Sequence, residues 1–159
     1  MTDTPSPVIL VDADACPVKD EVYRVARRYK VAVRIVSNSP FRIPEHPLVK
    51  RIVVSDSFDA ADDWIADNAS AAAIVITADI PLADRCLRAG ATVLRHDGKP
   101  FDAASIGNAL ATRAIMEDLR AGMDGPLGGN MGGPPPFTKA DRSRFLQALD
   151  TALVKIVRS

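Results

Sequence analysis

The sequence has no excess of either charge. Its 20 basic residues face 20 acidic ones, for a formal net charge of zero. A strong nucleic-acid binder usually carries a basic surplus, so any nucleic acid has to meet a local patch here. Cysteine is sparse as well. Cys16 and Cys86 are the only two, too few for a disulfide framework, and neither lies in a CxxC pair that would hold zinc through thiolates. Aromatic residues make up 5% of the chain. No apolar run approaches the length of a membrane span. The opening MTDTPSP has neither the basic segment nor the apolar stretch of a secretory leader. These absences point to a cytoplasmic protein with no membrane partner. What is present is ordinary for a globular chain: 159 residues, 47% hydrophobic and 25% charged. That is enough for one domain over 1–159 with a core of its own.

Val8-Ile9-Leu10-Val11 is a short apolar run that ends in Asp12. Such runs suit strands covered on both faces, as in parallel sheets. Pro17 opens a helical stretch to about Tyr29, with Val18, Val22, Val25 and Ala26 on one face. Proline is tolerated in a first turn because its missing N–H would be unpaired anyway. Further strands are expected over 31–36, 51–54, 73–77 and 91–94, with a loop of three prolines over 39–47. A helix over 59–68 takes Asp59 as its N-cap. Another starts at Pro81 and is ended by Gly90 in the C′ position. Two more are expected: 104–120, with Ile106, Leu110, Ala114 and Leu119 as its apolar stripe, and 138–157, with Phe145, Leu149, Leu153 and Ile156 aligned. Strands alternating with helices imply a three-layer α/β/α fold around a mostly parallel five-stranded sheet, with helices added at the C-terminus. Residues 122–136 hold six glycines and four prolines. They read as a flexible loop, either a tolerated linker or a lid that orders on binding.

In open α/β sheets ligands bind outside the carboxyl ends of the strands, so the polar residues that follow each strand matter most. The first strand delivers Asp12 and Asp14, the second Ser37 and Asn38, and the fourth Thr77 and Asp79. The helix before the fourth strand carries Asp59, Asp62 and Asp63 in its first turn. Acids there complement the helix dipole. Asp59 is most simply a cap and Asp63 most simply solvated, which leaves Asp62 to aim at the strand ends. Carboxylates gathered in one crevice repel each other, and a divalent cation relieves that repulsion. Oxygen-only ligation favours magnesium or manganese over zinc. The plainer alternative is that one of these acids caps the following helix and the others are merely exposed.

Asp12-Ala-Asp-Ala-Cys-Pro-Val-Lys19, then Asp59-x-Ala-Asp62, then Thr77-Ala-Asp-Ile-Pro-Leu-Ala83 resemble the YaiI/YqxD family of bacterial proteins. Asn108, Arg113, Gly133-Pro134, Asp141-Arg142 and Phe145 extend the resemblance to about residues 8–154. That family is uncharacterised in function and is grouped with the PIN-like nucleases. The resemblance therefore implies a PIN-like, Rossmann-like fold and a ribonuclease acting on RNA. Asp12, Asp62 and Asp79 match in turn the acids that hold magnesium or manganese in such nucleases and activate water against a phosphodiester. Many of those domains carry a fourth acid shortly after the third. Asp84 is nearest but sits differently in its helix, and Asp14 is the candidate to supply the missing carboxylate.

Other residues carry two readings each. Cys16 precedes a helix start, where the dipole would lower its pKa, but a Cys-x5-Arg phosphatase needs arginine where Val22 stands. A small, half-buried thiol is the simpler reading. Lys19 could meet a phosphate as a point charge or lie on ordinary helix surface. Ser37 and Asn38 could orient substrate or cap the turn into the proline loop. Arg113 and Arg142 could reach a phosphate, or pair with Asp118 or Asp141 to hold the C-terminal helices. Thr77 joins these five as a candidate substrate-binding group. The arginines and lysines between Arg24 and Arg51 could follow a phosphate backbone or form a solvated face. Two rivals to the nuclease reading stand. One is a non-catalytic module that binds nucleic acid or a protein partner through the same crevice. The other is a haloacid-dehalogenase-type phosphatase with Asp12 as nucleophile and Asp14 as general acid, against which Thr77-Ala-Asp-Ile-Pro stands where a glycine-aspartate-acid element is expected.

Overall fold

The apolar run that ends in Asp12 forms the middle strand of a parallel sheet. The computed structural model describes residues 6–13, 16–40, 42–57, 59–122 and 137–158, the side chains of 113–114, 116–118, 120–122 and 158 excepted. Among these, strands and helices follow as β1 (Val8–Asp12), α1 (Lys19–Tyr29), β2 (Ala32–Ser37), β3 (Val49–Val53), α2 (Ala60–Asn68), β4 (Ala73–Ile76), α3 (Ile80–Arg88), β5 (Thr92–Leu94), α4 (Ala103–Gly122) and α5 (Lys139–Arg158). The sheet order is β3-β2-β1-β4-β5, and all four pairings are parallel. Asp14 and the expected 122–136 loop lie outside the described residues, save Gly122 at the end of α4. No described helix is long and apolar enough to cross a membrane.

Strand residues alternate between two apolar layers, as a pleated sheet covered on both faces requires. Ile9, Val11, Val33, Ile35, Ile74 and Ile76 pack against α1 and α5 through Val22, Val25, Phe145, Leu149 and Leu153. Leu10, Val36, Val75 and Val93 pack on the other face against Ile65 of α2, Leu82 and Cys86 of α3, and Ile106 of α4. The connection from β2 to β3 needs no helix. A loop with Pro40, Pro44 and Pro47 carries the chain across and returns it parallel, close to the shortest crossover that parallel strands allow.

Several boundaries differ from expectation. Pro17 lies in a turn outside α1, which starts at Lys19 with Val18 in the capping position. Strand β3 begins at Val49, drawn in by pairing with Val33. Asp59 occupies the N-cap of α2, but its side chain makes no capping bond. Gly90 follows α3 at φ +93°, the left-handed conformation expected of a C′ glycine. Two of the three described residues of the apolar stripe expected on α4 are not core. Ile106 is buried, while Leu110 is 41% and Leu119 52% exposed, and the side chain of Ala114 lies outside those described. The helix enters the core through Ile106 in its first turn and packs against α3. A periodic stripe shows which face is apolar, and the neighbouring elements decide whether that face is covered.

Candidate functional site

The strand order reverses at β1. The chain lays β2 and β3 on one side of it and then returns to lay β4 on the other. That reversal makes a switch point, and the carboxyl ends of β1 and β4 border its crevice. Asp12 is the last residue of β1, while Thr77 and Asp79 follow β4. Thr77 is fully buried. Its hydroxyl donates to Oδ2 of Asp12 at 3.0 Å and accepts from the Asp79 amide, also at 3.0 Å. Oδ1 of Asp79 accepts from the Leu82 amide at 2.9 Å and so caps α3. One chain of hydrogen bonds thus crosses the crevice from β1 through Thr77 to the start of α3. Thr77, expected among the substrate-binding groups, is buried with its hydroxyl engaged by Asp12 and the Asp79 amide, and so acts as a strut between the two.

Helix α2 lies over β1 and β2 and brings Asp62 to the same crevice from above. Burial pushes the Asp62 carboxyl up from 3.8 to about 6, and the charges of Asp79, Asp12 and Asp59 add to that rise against the opposing pull of Arg85. Like charges disfavour each other's ionisation only over short separations, so the three expected acids do share one electrostatic environment. Asp63, expected to be solvated, is exposed and paired with Arg85 at 2.9 Å. Asp84 is paired with Arg88 at 3.2 Å along the surface of α3.

The acids do not form a ready-made cage. Among the described residues, no three His, Cys, Asp or Glu side chains are placed to hold a metal ion together. Asp12 and Asp79 are held by Thr77 and the Leu82 amide instead. The part of the plainer expectation that has one acid capping a helix is therefore met by Asp79. The donor chemistry still fits a hard cation, since every group is a carboxylate and their charges oppose one another.

The family described as "Uncharacterized BCR, YaiI/YqxD family" matches residues 10–155. This chain belongs to that family. A "UPF0178 protein" of Sphingopyxis alaskensis is 68% identical over 153 residues, covering 96% of this chain and 97% of its own. One of Rhodopseudomonas palustris strain HaA2 is 52% identical over 158 residues, covering 99% and 93%. One of Nitrobacter winogradskyi is 54% identical over 151 residues, covering 95% and 93%. No solved structure matches this chain. The family is of uncharacterised function, so the roles of its residues have to be argued from placement.

Lys19 opens α1 and is half-buried. Cys16 is half-buried too, and burial pushes its thiol up to about 11. The lowering expected from a helix dipole is overturned, because α1 begins three residues later and desolvation outweighs the nearby Lys19 charge. Ser37 ends β2, and its hydroxyl accepts from the Ser39 amide at 3.2 Å, the turn-capping role. Asn38 is exposed beside it. Arg113 lies in α4, with its side chain outside those described. Arg142 pairs with Glu21 rather than Asp141, and the side chain of Asp118 lies outside those described. Arg142 donates to Glu21 Oε1 at 2.7 Å and to the Pro17 carbonyl at 2.9 Å, and its guanidinium lies over the Phe137 ring. Asp141 instead caps α5 with Thr138 and bonds to Arg144.

Glu21 was missed by the sequence reading. It is only 9% exposed, and its Oε2 has no hydrogen-bond partner among the described groups. The signal was available: Glu21 stands three residues after Val18 and four before Val25, on the buried face of α1.

Proposed function

We propose that this chain is a divalent-cation-dependent phosphodiesterase, a PIN-like nuclease whose substrate is RNA. The observation that carries the reading is placement: Asp12, Asp62 and Asp79 come from three separate elements to the carboxyl-end crevice at the switch point. Burial, and then the charges of Asp79 and Asp12, push the Asp62 carboxyl up to about 6, which a solvated first-turn acid would not show. Asp12, Asp62 and Asp79 would hold magnesium or manganese, with Asp14 in support. When bound, the cation would supply a more acidic water and offset charge developing on a phosphate. The chain's own part is to fix the donors. Thr77 sets Asp12 and Asp79 at a constant separation, and α2 carries Asp62 over them.

Purified protein with manganese and a mixed-sequence single-stranded RNA tests this. Native protein is expected to cut it, with Asp12→Asn and Asp79→Asn slowed at least a hundredfold, on the scale of losing a catalytic metal or general base. Equal cleavage by native protein and both variants would sink the reading. A second reading is favoured by the lack of a closed three-acid group among the described residues: a non-catalytic module that binds through this crevice. It keeps cation binding and shows no turnover.

A further inference from the structure

The zero net charge conceals a sharp division. Residues 24–51 hold eight lysines and arginines and a single acid, Glu45, which leaves twelve bases and nineteen acids for the rest. Parts of this basic segment line two surface grooves. Helix α1 presents Arg24, Arg27 and Arg28 outward while Val22, Val25 and Ala26 face the core. The proline-rich loop after β2 runs beside α1, and Pro44 lines a groove of about 590 Å³ with Arg24, Arg27 and Arg28 and a single acid, Asp20. On the other side of the same loop, Arg42 and Ile43 line a second groove, of about 760 Å³, with Lys50 and Arg51 of the edge strand β3. Arg24, Arg27, Arg42 and Lys50 are exposed, and none of the four is ion-paired with a described residue. Arg28 is tied to Asp150.

We propose that these two adjoining grooves, running from α1 across the loop to β3, bind the sugar-phosphate backbone of a single-stranded nucleic acid. Several cations placed in succession along a continuous track suit a ligand that repeats its negative charge. A bilayer is a poor match, because the apolar face of α1 is used by the core and leaves none to insert. Tyr23, the aromatic residue among the described lining of these grooves, is 8% exposed and offers little of the anchor that protein partners seat. Contacts from these cations to phosphates carry no sequence information, so binding through them is without base preference. With four cations engaged, the logarithm of affinity falls against the logarithm of salt with a slope of about −3, or roughly 50-fold between 50 and 200 mM. The surface stands on charge and shape alone. Only its use to deliver a strand to the carboxylates rests on the phosphodiesterase reading.

Fluorescence anisotropy with the full chain tests this, using a labelled mixed-sequence single-stranded RNA and the matching DNA. EDTA is present throughout, so loss of cation chemistry cannot be mistaken for loss of binding. Native protein is expected to bind either strand with the slope given above. The triple variant Arg24→Gln, Arg42→Gln, Lys50→Gln is expected to bind at least tenfold more weakly at 50 mM salt, with its slope cut to about −0.7. Arg24→Gln alone should remove about 0.7 from the slope, and Asp12→Asn should bind as native protein does. The proposal is overturned by no binding at 50 mM salt, by a triple variant that binds as native protein, or by tighter binding to polyglutamate or to phosphatidylserine vesicles.

Discussion

Asp62 shows how one side chain can report on a site. It sits in the first turn of a short helix, half-buried, and feels the charges of two acids from other elements, Asp12 of β1 and Asp79 at the start of α3. In the folded chain it releases its proton near 6, against 3.8 for the ordinary group. Between those values the folded state binds the proton more tightly than the unfolded one, so stability falls as pH rises through that window. Asp62→Asn abolishes the cost of charging. The variant is expected to melt above native protein at about pH 8 and together with it at about pH 4. A variant that melts lower at both would remove the like-charge account. Asp12, Asp62 and Asp79 were legible because each falls at a strand end or in a helix's first turn. Thr77 as a strut was not, since its bond to Asp12 spans 65 positions and leaves no local pattern. The dipole argument for Cys16 failed for a related reason: burial is a tertiary fact, and it outweighed the local effect.

At the scale of elements, α5 is fixed to the start of α1 through Arg142. The guanidinium reaches both the Pro17 carbonyl and Glu21, whose carboxylate is almost wholly covered. Removing one partner of a covered charge leaves the other desolvated and unpaired. Because Arg142 itself is 45% exposed, the loss is set by the hydrogen bonds to a charged group, about 2 kcal/mol. Arg142→Ala is expected to lower the urea midpoint accordingly, and Glu21→Gln to lower it less, since an amide can keep one bond. Equal stability of Arg142→Ala and native protein would show that the link is dispensable. A second joint lies at Gly98, at φ +87°, where a Cβ would come within 2.5 Å of the Arg144 carbonyl. The alternation of strands and helices was readable from apolar runs and their periods. The failure at α4 has a definite cause: Leu110 and Leu119 lie on an apolar face that the described neighbours do not cover.

The neutral sum of charges hides an uneven distribution along the chain. Asp12 and Asp79 stand where β1 and β4 end, and eight of the 20 bases fall between Arg24 and Arg51. Composition alone shows only the neutral sum. The reversal at β1 also could not be read from the chain, because alternating strands and helices are compatible with more than one order. It is this reversal that brings Asp12 and Asp79 to the two sides of one crevice. The most direct test of that claim is calorimetric titration of manganese into native protein, Asp12→Asn and Asp79→Asn, with circular dichroism confirming that each is folded. Asparagine keeps the helix cap at 79, so a loss there reports on charge. Native protein is expected to bind one ion per chain, and both variants to bind it at least tenfold more weakly. Native protein that takes up no manganese, or variants that bind it equally well, would contradict the account.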